Sequence, residues 1–153
     1  MKTTMVLGIG NRLMTDDGIG VWIVEKLIQN KDAVNKSGAE EVLYIIGETD
    51  FDFCLDQIEN AGYLIIIDAV KMNKEPGEVT VFPLKEVLAG PLQGHSAHDH
   101  HLLSMLSYLR KDLDGILIGI EPCEVAFHIG LSDILSRNFP EILHKVENII
   151  IEI

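Results

Sequence analysis

An apolar run, Met5-Val6-Leu7, leads straight into Gly8-Ile9-Gly10-Asn11-Arg12-Leu13-Met14-Thr15-Asp16-Asp17-Gly18, and helical spacing of Ile19, Val21, Trp22, Ile23 and Leu27 follows at once. A buried strand feeding a helix through a short glycine loop belongs to an open α/β sheet, and the strand tip is where such sheets place ligands. Two adjacent carboxylates at that tip are costly, because like charges so close disfavour each other's ionisation. A cation would remove the cost. The opening Gly-x-Gly is half of a dinucleotide fingerprint, but Leu13 stands where the third glycine belongs. Acids at a helix N-terminus would also repel a pyrophosphate, and no Walker lysine follows, so nucleotide binding is set aside. Helix capping accounts for one acid, and Asp16 is the expected cap. Asp17 is left for another task.

The same kind of unit recurs down the chain. Strand-like runs fall at about 3–9, 41–46, 63–68, 78–83 and 115–120, with helical patterns at about 18–30, 50–59, 99–111 and 132–149. Leu64-Ile65-Ile66-Ile67 and Ile116-Leu117-Ile118-Gly119-Ile120 are continuous rather than alternating, as central strands covered on both faces are. The alternation predicts an α/β fold with a parallel or mixed sheet and helices on both sides. Glu75-Pro76-Gly77 marks a turn, Ser132 is the expected N-cap of the last helix, and Pro140 is expected to split that helix into pieces near 132–138 and 140–150. With no linker and no repeat, residues 1–153 read as one domain.

Twelve Lys and Arg against twenty-four Asp and Glu give a net charge of −12, which argues against a nucleic-acid partner. No apolar run reaches the roughly 18 residues of a membrane span and no signal-peptide pattern opens the chain, so no membrane partner and a cytoplasmic location are expected. Cys54 and Cys123 match no metal or redox spacing and sit in apolar neighbourhoods, so both are expected as buried free thiols.

Two further elements carry chemistry. Asp68 ends the buried run Leu64-Ile65-Ile66-Ile67 and projects from the same carboxyl edge as Asp17; alone it could equally open a turn. The segment His95-Ser96-Ala97-His98-Asp99-His100-His101 holds four of the six histidines and precedes Leu102, Leu103, Met105, Leu106 and Leu109, which read as the inward face of a helix. Two carboxylates and an imidazole make a ligand set for a divalent transition metal, and imidazole favours nickel, copper or zinc over magnesium or calcium. No HExxH helix, GxSxG elbow or recognisable Cys–His pair offers another catalytic centre.

With those positions in hand, the chain resembles the hydrogenase maturation endopeptidases, the family that trims the large subunit of nickel–iron hydrogenases. The anchors are Gly8-Ile9-Gly10-Asn11 with Leu13, Asp16-Asp17-Gly18-Ile19-Gly20, Ile66-Ile67-Asp68-Ala69, Pro76-Gly77, the His98 segment and Gly119-Ile120-Glu121-Pro122. The resemblance implies a three-layer fold with a twisted, mostly parallel five-stranded sheet. It implies an aspartyl-type peptidase that removes a C-terminal extension from a large-subunit precursor, with Asp17, Asp68 and His98 as metal ligands and Asp17 and Asp68 as catalytic acids. The nickel is implied to ride on the substrate instead of residing in the enzyme. Where some members have Glu, this chain has Asp17. The histidine segment is unusually rich, so His95, His100 or His101 could replace His98. Asn11 could orient the loop or donate to an oxyanion, Asp16 or Asp17 could act as general base, and His128 could line the cleft or serve structure. The competing reading is a nickel-handling assembly protein that binds the same precursor and cuts nothing.

Overall fold

The computed structural model describes residues 3–34, 41–90 and 97–153, the side chains of 32–34 and 97–100 excepted. Among these, the five apolar runs form strands β1 (Thr4–Ile9), β2 (Val42–Glu48), β3 (Tyr63–Ala69), β4 (Val79–Pro83) and β5 (Asp114–Ile120). They pair in one sheet ordered β2-β1-β3-β5-β4. β2, β1, β3 and β5 run parallel, and β4 adds an antiparallel edge against β5. β3 is the middle strand, with β1 and β5 on either side of it, and every residue from Leu64 to Val70 is buried, as the unbroken apolar runs of β3 and β5 require of interior strands.

Helices α1 (Ile19–Val34), α2 (Phe51–Gln57), α3 (Leu84–Ala89), α4 (Ala97–Leu109) and α5 (Asp133–Ile151) cover the two faces. Strand alternation divides the core accordingly. Leu7, Leu64, Ile66 and Leu117 pack with Cys54, Leu84, Leu102 and Leu106 from α2, α3 and α4. Val6, Ile65, Ile67 and Ile118 pack with Ile23, Leu27, Leu135 and Val146 from α1 and α5. The result is the expected three-layer α/β arrangement. Among the described residues, no helix is long and apolar enough to cross a membrane.

Several expectations need correction. α3 went unpredicted: its six residues are too few to display a period, and it follows directly on Pro83 at the end of β4. Pro140 does not split the last helix; α5 runs unbroken through it for 19 residues. Ser132 does cap α5, its hydroxyl accepting from the Leu135 amide. On α4, Leu102, Leu103 and Leu106 are buried as expected, but Leu109 is exposed, lying in the last turn where the helix leaves the core. Cys54 is buried, and its thiol is pushed up to about 11 by loss of water and by Asp50. Cys123 is free but exposed, because the loop after β5 stands outside both cores.

Candidate active site at the carboxyl edge of the sheet

The glycine loop is shaped by backbone crowding. Gly10 has φ +129°, and a side chain there would run into the carbonyl of Asp17. Gly20, at the start of α1, lies so close to the Ile67 carbonyl that a Cβ would come within 2.1 Å of it. These glycines let the β1–α1 connection rest on β3 at the residue before Asp68. They serve packing here, not phosphate approach.

The loop folds back on itself through its own polar groups. The Asn11 Oδ1 accepts from the Leu13 amide at 2.9 Å, while the Asn11 amide donates to Oδ2 of Asp17 at 3.0 Å. Asn11 therefore orients the loop and Asp17 together. Arg12 bonds Glu48 at the end of β2 and Glu25 on α1, and its guanidinium lies 5.2 Å from the centre of the Trp22 ring. The bond to Glu48 holds Arg12 even more firmly protonated than usual.

Asp16 and Asp17 sit in a short 3-10 turn, Thr15–Gly18, whose N-cap residue, Met14, makes no side-chain cap bond. Asp16 is fully buried and is not a cap, contrary to expectation. Its carboxylate accepts from the amides of Cys123, Glu124 and Ser132 and from the Ser132 hydroxyl, all at 2.8–2.9 Å. It ties the loop between β5 and α5 to the site loop. Thr15 reinforces the tie: its hydroxyl donates to the Ala126 carbonyl at 2.6 Å and its amide to the His128 carbonyl at 3.0 Å. His128 acts through its backbone, its amide donating to the Leu13 carbonyl at 2.9 Å, and its side chain is exposed. With its oxygens so engaged, Asp16 is poorly suited to act as a general base.

Asp68 is fully buried at the end of β3, its Oδ1 accepting from the Ala69 amide at 2.8 Å. Gly8 pairs with Ile67 across β1 and β3, so Asp68 stands one residue beyond the level at which the glycine loop begins. By alternation it shares the face of Leu64 and Ile66, the face that α4 covers. α4 leads down into the start of β5, which sets its first turn, with His98, toward the carboxyl edge. The ring of His101 lies 6.0 Å from that of Phe51, which opens α2 just after β2. The structure thus brings Asp17, Asp68 and the first turn of α4 to one edge. Pro91, His95 and the side chains of His98 and His100 lie outside the described residues. Among the described residues, no three His, Cys, Asp or Glu side chains gather to hold a metal.

Three residues of this region received no site role from the sequence: Thr15, Ser132 as a partner of Asp16, and Glu121, which stood only within an anchor of the resemblance. Glu121 is a buried acid at the end of β5 that accepts from the Met72 amide at 2.8 Å and so closes the loop after Asp68. No local pattern announces such a bond, because its partner is 49 residues away.

Known proteins share this fold. A family model, HycI, hydrogenase maturation protease, matches residues 21–149. The hydrogenase 2 maturation protease of Escherichia coli K12 is 34% identical over 149 residues, which cover 93% of this chain and 87% of that protein. Among solved structures, the hydrogenase maturating endopeptidase HybD from E. coli superposes with a TM-score of 0.77 at 28% identity, covering 98% of this chain and 93% of that one. The NiFe hydrogenase maturation protease HybD from Thermococcus kodakarensis gives a TM-score of 0.73 at 26% identity, covering 96% and 98%. The chain is a peptidase belonging to the hydrogenase maturation protease family.

Proposed function

We propose that this protein is an endopeptidase that removes the C-terminal extension of a nickel–iron hydrogenase large-subunit precursor after nickel has been inserted. Asp17, Asp68 and His98 bind the nickel carried by the substrate, and that contact docks the scissile bond. The observation that supports the reading is that Asp17, Asp68 and the first turn of α4 all lie toward one edge of the sheet, in a chain of this peptidase family. Cleavage is then coupled to metal insertion, because a nickel-free precursor offers the three ligands nothing to hold. Asp17 is the better candidate for a base: it is only part-buried, whereas Asp16 is sealed under four hydrogen bonds. The metal can equally polarise the carbonyl or activate the attacking water.

The test is a purified precursor presented with and without nickel. The loaded form should shorten on a denaturing gel and the empty form should not; equal cleavage of both would sink the nickel checkpoint. Asp17→Asn and Asp68→Asn should each abolish shortening, and single replacement of His95, His98, His100 and His101 identifies the histidine. Stable complex formation without release of a peptide, read by mass spectrometry of the precursor's C-terminus, would favour the assembly-protein reading instead.

A further inference from the structure

The loop after β5 carries an exposed apolar ribbon with no role in the core. Phe127 is 82% exposed, Ile129 67% and Val125 54%, and Leu13 of the glycine loop is 46% exposed. Such side chains are stable in water but costly to display together, and contiguous apolar patches mark binding sites more often than chance. This ribbon is not a loose loop. The main-chain groups of Glu124, Ala126 and His128 turn inward and bond to Leu13, Thr15 and Asp16. Met14 and His128 form a parallel bridge, so the ribbon is laid against the site loop itself. Among the described residues, none pairs with the main-chain N–H or C=O of the alternate residues Val125, Phe127 and Ile129. The outer side of the ribbon therefore offers backbone groups that no described residue pairs with, alongside large apolar side chains, the combination that receives an added extended peptide.

We infer that this ribbon seats the polypeptide flanking the scissile bond of the enzyme's own protein substrate, an extended apolar segment without acidic residues. Three observations select that occupant. The ribbon is continuous with the loop that bears Asp17, separated from it only by the Asp16 tie. A peptidase must hold an extended chain beside its reacting groups, and open backbone edges do so without regard to sequence. The exposed charge within the ribbon is Glu124, on a chain of net charge −12, so an acidic segment would be repelled. The inference rests on the proposed protein substrate and deepens it: the nickel ligands report the metal, and the ribbon grips the chain.

The test replaces Val125, Phe127 and Ile129 together by serine and measures both binding of the nickel-loaded precursor and its cleavage. These side chains are exposed, so the melting temperature should hold. The dissociation constant and KM should rise roughly tenfold or more with kcat unchanged, as expected when apolar anchors are truncated. Phe53→Ser, an exposed apolar site on α2, should change neither. Unaltered binding and KM in the triple variant, or a fall in kcat alone, would overturn the ribbon. Because binding is read apart from cleavage, a wild-type protein that binds but does not cut refutes the protease reading while still judging the ribbon. A wild-type protein that does neither refutes both.

Discussion

Asp16 and Asp17 are neighbours of identical chemistry, and the fold gives them opposite work. Asp16 faces inward, where three amides and a hydroxyl converge on it, and a carboxylate has the acceptor capacity to take all four. Asp17 stands part-buried beside the Asn11 amide at the edge where Asp68 lies next to the end of its strand. The acid pair was legible in the sequence as an anomaly at a strand tip. Which acid does what was not, because the donors that occupy Asp16 lie 107 to 116 residues away. Asp16→Asn places an NH2 against groups that are themselves donors, leaving buried donors unsatisfied. It should lower the unfolding free energy by about 3 kcal/mol, whereas Asp17→Asn should change it by less than about 1 kcal/mol. Urea denaturation of the two variants checks the contrast. Equal losses would mean that Asp16 is not a structural hub.

At the scale of elements, the strands were the most readable part, since unbroken runs of Ile, Leu and Val admit few other environments. β3 and β5 emerged within about a residue of their expected limits, the usual uncertainty of element ends. α3 and the continuity of α5 were hidden for different reasons. α3 is too short for a period, and burial of Leu84 and Val87 beneath the sheet maintains it. α5 survives Pro140 because its apolar face spans the proline: Leu135 precedes it, and Ile142, Leu143 and Val146 follow on the same side, all buried against β1, β3 and β5. Tertiary burial outweighs a missing hydrogen bond to the Ser136 carbonyl and the clash of the ring with it. Pro140 itself is exposed, so alanine fits without repacking. Pro140→Ala should therefore stabilise the protein by about 2 kcal/mol, the helix-interior cost of proline less the unfolded-state entropy it removes. Thermal or chemical denaturation measures it. A loss of stability would show that α5 requires a bend at this position.

At the scale of the whole molecule, the candidate site is assembled across both layers of helices. Its glycine loop leads into α1 on one face of the sheet, and Asp68 and α4 belong to the other. The edge holds its shape only while both cores stay docked, so the forces acting on the entire chain bear on the site. The largest of these outside the core is charge. Twenty-four acids oppose twelve bases, and the ion pairs seen among the described residues, such as Lys85–Asp114 and Lys145–Glu141, lie at the surface where each contributes little. Self-repulsion of the acids should then exceed the attraction of the pairs, so salt should relieve more repulsion than it removes attraction. Raising sodium chloride from about 20 mM to about 500 mM shortens the screening length several-fold and should increase stability. An effect of about 1 kcal/mol would raise the melting temperature by about 3 °C in a chain of this size. A melting temperature that falls with salt would mean instead that surface pairs, with the Arg12 bonds to Glu25 and Glu48 first among them, hold the site edge together more than the acid excess strains it.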